Sequence, residues 1–334
     1  MAHIELSSKN YFHNLDVISK QIGSKDKLSV VLKDNAYGHG LVQIAKLSYQ
    51  YGIKKAVVRS REEALEIKDL FEEILIFNPA SNEDDEFIYS INSSLDLDSI
   101  KAKNIALKIN TGMNRNGISC DEFEKIINII IKKKLNLKSI FTHFSDADSN
   151  NNNFETQLKT WQEFKQKARK LLKQNNIQNV AFHSQNSAAT FRVHTDDDMV
   201  RCGIAIYGYS NPSLKPVLSL YAKKTNEINL KQNESVGYSS IFVASKNMTI
   251  STYDIGYADG IFRFDGSQDI KTADNESFLG ICSMDYISVE STEDEICVFN
   301  NAEYLASKFN TISYEVLVKL SPNLTRIIET SEQL

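Results

Sequence analysis

The first two-thirds of the chain alternate short β-branched apolar runs with longer stretches whose apolar residues recur every three or four positions. The runs at 28–33, 55–58, 74–77, 87–91, 104–109, 137–143, 180–185 and 199–207 have strand length and strand composition. Helices between them have legible starts. Ser60 with Glu63, and Ser119 with Glu122, read as capping boxes ahead of Ala64 and Phe123. A longer helical pattern runs from Phe154 to about Lys173, entered through the polar tract 149–153. Eight strands with intervening helices predict an α/β fold, a closed (β/α)8 barrel of the TIM type. Periodicity alone does not separate this from an open doubly wound sheet. After the Asn211-Pro212 break the pattern changes, and from Val217 it is strand-rich with little helical periodicity. The expected division is a barrel over 1–216 and a C-terminal, mainly β domain over 217–334.

Composition narrows the class. A chain of 334 residues with 42% hydrophobic and 24% charged residues is an ordinary globular protein of about two domains. Its net charge of −5 argues against bulk electrostatic binding to nucleic acid or an anionic membrane. Cys120, Cys202, Cys282 and Cys297 show no CxxC spacing and lie in apolar stretches, so reduced core thiols are expected and no metal framework. The N-terminus lacks an apolar core of signal-peptide length, and no run approaches the ~20 apolar residues of a membrane span. A cytoplasmic protein is expected.

In a barrel of this kind, chemistry sits on the loops that follow the strands. The polar clusters fall there. Lys33 closes the first run and opens Lys33-Asp34-Asn35-Ala36-Tyr37-Gly38-His39-Gly40; the fifth leads into residues 110–117, the sixth ends at Thr142-His143, the seventh leads from His183 to Ser187, and Arg201-Cys202-Gly203-Ile204 lies in the eighth. A lysine closing an apolar strand either snorkels to the rim or is a desolvated amine of the kind that forms a covalent bond to a carbonyl. Tyr37, Ser187, Gly203 and Ile204 offer hydroxyl and amide donors suited to a phosphate.

Eight segments then occur in order along the chain: 33–40, Lys108 to Arg115, 142–148, Asn186-Ser187-Ala188-Ala189-Thr190, 201–208, Ile255-Gly256-Tyr257-Ala258-Asp259-Gly260, Ser283-Met284-Asp285 and Ser313-Tyr314-Glu315. Together they resemble the successive motifs of alanine racemases. The resemblance implies a barrel binding pyridoxal 5'-phosphate, followed by a β domain. It makes Lys33 the lysine linked to the cofactor and the base on one face of the substrate. Tyr257 becomes the base on the opposite face, contributed by the partner subunit of a homodimer. Arg201 would face the pyridine nitrogen, with His183 orienting it and His143 packing near the cofactor. Tyr37, Ser187, Gly203, Ile204 and Tyr314 match the phosphate-binding set, and Arg115 with Met284 the substrate-carboxylate contacts. Lys108 occupies a position that is a carbamylated lysine in many members.

The pattern departs from the family at Asp34, where alanine is common, at Asn110 for aspartate, at Cys202, and at Ile281, where an arginine lines the substrate entrance in many members. The implied activity is interconversion of L- and D-alanine, supplying D-alanine for peptidoglycan. A broad-specificity racemase acting on serine or basic amino acids is the first alternative, kept open by Ile281. A non-catalytic carrier of the cofactor is the second, opposed by the β domain and Tyr257.

Overall fold

The computed structural model describes residues 1–78, 84–149 and 151–329. Asn150 of the polar tract, and the last five positions of the expected C-terminal domain, lie outside the described residues. The chain divides into two compact units. One comprises Phe12–Asp34 and Ile44–Lys215; the other comprises Met1–Tyr11, Asn35–Gln43 and the part from Pro216 onward.

Within the first unit, nine strands among the described residues form one parallel sheet, the short Ile118–Ser119 paired beside Asn104–Asn110 and eight along its main path. Its order is Val200–Cys202, Leu28–Val31, Lys55–Val58, Glu73–Ile76, Ile88–Ile91, Asn104–Asn110, Asn136–Phe141 and Ala181–His183. Backbone bonds from Asp198 N–H to Phe182 O (2.9 Å) and from Arg201 N–H to Gln185 O (3.0 Å) join the last strand to the first and close the ring. The expected α/β barrel is present. Leu28–Val31 is buried at all four positions, as a parallel strand covered on both faces must be.

The helices start where their caps place them. Ser119 and Glu122 form the reciprocal capping box. Ser60 accepts from Glu63 N–H, but the Glu63 carboxylate reaches one residue further back, to Arg59 N–H at 2.8 Å. The long helix spans Asn153–Gln174 and buries Phe154, Gln157, Trp161, Phe164, Lys165, Ala168 and Leu172, a stripe at intervals of three, four and one. Its apolar members Phe154, Trp161, Phe164, Ala168 and Leu172 pack with Ile126, Ile130, Leu137 and Phe182 in a core cluster of the unit. Lys165, buried in that stripe, is paired with Asp197 at 2.8 Å, which also accepts from Trp161 Nε1 at 3.2 Å and from Ser184.

Two strands end earlier than the apolar runs suggest. The first stops at Val31, because Asp34, Asn35, Ala36 and Tyr37 all take φ between 51 and 55° and wind the chain the opposite way. The last stops at Cys202, because Gly203 and Ile204 turn the chain, accepting from Ile206 and Tyr207 N–H at 2.9 and 3.2 Å. Gly203 and Ile204 thus lie beyond the strand rather than in it.

The second unit is strand-rich. His3–Ser7 lies between Leu218–Leu230, antiparallel, and Thr325–Glu329, parallel. Leu218–Leu230 continues along Met248–Tyr253 and Glu295–Phe299. Two short helices, Ala302–Lys308 and Ser313–Val318, complete it. The unit is not one stretch of chain. His3–Ser7 has no flanking hairpin, so its pairing rests on neighbours more than two hundred residues away. Among the described residues no helix is long and apolar enough to cross a membrane.

Candidate active site

In the barrel unit, Lys33, Arg59, Lys108 with Arg115, His143, His183 with Ser187, and Arg201 all stand at or just beyond the C-terminal ends of their strands. Lys33 Nζ donates to Asp34 Oδ2 at 2.7 Å, and Arg59 donates to Asp34 Oδ1 at 3.0 Å. Burial pulls the Asp34 carboxyl upward, but Lys33 and Arg59 outweigh it and hold the group below the usual carboxylate range.

Arg201 is buried and its guanidinium is engaged on both terminal nitrogens. One donates to His183 Nδ1 and to His183 O at 3.1 Å, the other to Thr142 O at 2.7 Å. The guanidinium also lies 5.1 Å over the Phe141 ring, on which His183 stacks at 3°. Since a guanidinium only donates, Nδ1 of His183 is the acceptor and its proton sits on Nε2. That atom is buried without a partner among the described residues. Burial, then Arg201, drives the His183 imidazole well below its ordinary range, and burial lowers Arg201 itself to about 10.

His143 draws the group together. Its pKa falls to about 3, through burial first and then through Arg201, Lys108, Arg115 and Lys33 in that order. Four cations act on one neutral imidazole. Lys108 is pushed down to about 8, again by burial and then by Arg115 and Arg201. Its Nζ donates to Asn116, a neutral amide. Asn110 shapes the loop that carries Arg115: its side-chain oxygen accepts from the N–H groups of Gly112 and Asn114, both at 3.1 Å. An asparagine thus supplies the loop's hydrogen bonds without adding a negative charge.

Ser187 is the best candidate for an anion contact. Its hydroxyl oxygen accepts from Gly203 N–H at 3.1 Å and from Ala205 N–H at 3.2 Å, so both lone pairs are used and its own proton is left for a third group. The Gly203 amide is therefore spent on Ser187, while the Ile204 amide has no acceptor among the described residues. The donor set fits a phosphorylated aldehyde: an amine at 33, a surplus of cations, and hydroxyl and amide protons to spare.

In the strand-rich unit, Tyr37 ends the left-handed segment and packs against Tyr314, ring centroids 5.8 Å apart. Four consecutive non-glycine residues at positive φ are costly, since each places Cβ near the following carbonyl, and such strain persists only where the surroundings hold it. Here Arg326 donates to Gly38 O at 3.0 and 2.9 Å and to three further carbonyls, and Asn35 accepts from Leu41 N–H at 2.8 Å. Gly38, at φ +79°, lies so close to the Ser313–Val318 helix that a Cβ would stand 2.0 Å from Leu317 O.

Tyr257 and Met284 are brought together by backbone. Tyr257 N–H donates to Ser283 O at 3.1 Å and Ala258 N–H to Met284 O at 3.0 Å. Gly256 makes this approach available, because a Cβ there would lie 2.1 Å from Met284 O. Both side chains are exposed, Tyr257 by 38% and Met284 by 53%. The resemblance did not point to Arg59, Asn116, Phe141 or Arg326. Arg59 carried a signal of its own, standing just past the second strand run; Arg326 carried none.

The family models "Alanine racemase, N-terminal domain" and "Alanine racemase, C-terminal domain" match residues 6–211 and 217–328. The chain belongs to the alanine racemase family. It is an enzyme of the isomerase class. It is 45% identical to the alanine racemase of a Nitratiruptor species, over 98% of this chain and 99% of that protein. It is 43% identical to that of Campylobacter jejuni serotype O:2, over 98% and 100%. Among solved structures, alanine racemase from Acinetobacter baumannii superposes with a TM-score of 0.82 at 25% identity, covering 98% of this chain and 99% of that one. Alanine racemase from Bartonella henselae, solved with covalently bound pyridoxal phosphate, shares the fold with a TM-score of 0.81 at 24% identity, covering 98% and 99%.

Proposed function

We propose that the chain interconverts L- and D-alanine with pyridoxal 5'-phosphate as cofactor. The observation that carries the reading is the strand-end group in which Lys33, Lys108, Arg115 and Arg201 all act on a neutral His143, an arrangement suited to an anionic ligand that also offers an amine a carbonyl. In this reading Lys33 holds the cofactor covalently; Tyr37, Ser187, Gly203, Ile204 and Tyr314 hold its phosphate; and His143, His183 and Arg201 hold its ring. The cofactor, when bound, withdraws electrons from the substrate's α-carbon and so acidifies its proton.

Arg201 stays protonated and accepts no further proton, so it leaves a ring nitrogen facing it unprotonated and limits the electron withdrawal. Arg115 and the Met284 backbone hold the substrate carboxylate, for which a guanidinium fork is well shaped. Lys33 Nζ and Tyr257 Oη act on opposite faces: one takes the α-proton and the other returns one from the far side, which inverts the carbon. Tyr257 comes from the partner subunit of a homodimer. In this reading 1–216 supplies all of the cofactor contacts except Tyr314, and 217–334 carries Tyr314 and the second base. Lys108, with a substantial neutral fraction near pH 8, is competent to take up carbon dioxide as a carbamate. The setting is cytoplasmic, and the D-alanine goes to peptidoglycan.

The test is chiral analysis of product after incubation with pyridoxal phosphate and L-alanine, with L-serine and L-lysine in parallel. D-alanine well in excess of D-serine and D-lysine supports the reading; the reverse assigns a broad-specificity racemase. Lys33→Ala is expected to abolish both the bound cofactor's visible absorbance and turnover. Covalent cofactor retained in that variant rejects the role of Lys33.

A further inference from the structure

The Asp34 carboxylate is bonded on both oxygens, to Lys33 Nζ at 2.7 Å and to Arg59 at 3.0 Å, at the end of the first barrel strand. Arg59 is itself seated, its backbone N–H held by Glu63 at 2.8 Å. From this geometry we infer that Asp34, braced by Arg59, is a positioning residue that holds the Lys33 nitrogen whenever it carries a proton. The inference rests on the proposed role of Lys33.

The consequence has opposite signs in two events. Covalent capture of an aldehyde cofactor requires the Lys33 ammonium to leave Asp34 and give a proton to solvent; its lone pair then forms the C=N bond to the aldehyde carbon, and water departs. Asp34 opposes this step. In turnover the same nitrogen takes the substrate's α-proton and becomes an ammonium, and there Asp34 Oδ2 is placed to receive it.

Asp34 sits at φ 55°, a conformation asparagine also tolerates, so Asp34→Asn removes the charge without disturbing the backbone. The experiment mixes apoprotein with pyridoxal phosphate, follows capture by absorbance, locates the label by borohydride reduction and peptide mass, and separately measures alanine turnover of the loaded protein. With Lys33 and Asp34 only partly buried, Asp34→Asn should capture the cofactor about two- to fivefold faster and turn over more slowly by a similar factor. Arg59→Met should shift both rates the same way by less. Unchanged rates, or both rates slowed together, overturn the role of Asp34 while leaving that of Lys33 standing. A wild-type protein labelled at a residue other than Lys33 overturns both.

Discussion

Arg201 is 3% exposed and held by an imidazole and two carbonyls, whereas Tyr257, 38% exposed, and Met284, 53% exposed, are placed by hydrogen bonds between the backbones of their loops. The barrel unit buries Arg201 and Ser187 in networks of side-chain and backbone groups, so changing one leaves its partners unsatisfied. In the strand-rich unit the loops of Tyr257 and Met284 are set by close backbone contact, which leaves those two side chains outward. Damage should therefore fall on stability in the first unit and on chemistry in the second, unless the backbone contact itself is broken.

Tyr257→Phe should show the second half of that contrast at its largest. Loss of a proton-transfer group is expected to lower kcat/KM by about 10²–10⁴, with cofactor capture and the thermal midpoint unchanged. A turnover equal to wild type would remove Tyr257 from the chemistry. Gly256→Ala tests the exception. A Cβ 2.1 Å from Met284 O must push the two loops apart, so the thermal midpoint should fall by the equivalent of about 3 kcal/mol, and activity with it.

In the barrel, Ser187→Ala orphans the Gly203 and Ala205 amides. Chemical denaturation of the apoprotein should show a loss of about 2 kcal/mol, before any effect on cofactor affinity.

A further effect, common to both units, is set by pH. His143 and His183 have folded pKa values below their unfolded ones, so the unfolded chain binds more protons as the pH drops. Their contribution is complete above about pH 6.5 and is lost progressively on acidification. His39, in the other unit and also lowered to about 3 by burial, adds to this. Stability that is flat from pH 7 to 5 would mean the imidazoles are not held neutral.

Much of the barrel is legible along the chain, because each parallel strand is a short apolar run and each helix announces its cap locally. The strand ends at 33 and 207 are not, because apolar character continues where the backbone has already turned. Neither is the His3–Ser7 strand, whose partners lie near 220 and 327. The site divides in the same way. Lys33, Arg201 and Tyr257 stand in recognisable segments, whereas Arg326 supports the Tyr37 turn from the last strand with nothing beside it to mark the role.

The order of residues was enough to set the alternation of strands and helices, the change of character at 217, and the residue types available for chemistry, since these depend on neighbours within a turn or two. Which charges meet was settled by the folded arrangement alone. It set Lys33 and Arg59 on one carboxylate, turned the His183 tautomer through Arg201, and drew four cations around His143. Electrostatic coupling depends on distance through space and on burial, and neither is written in the order of residues.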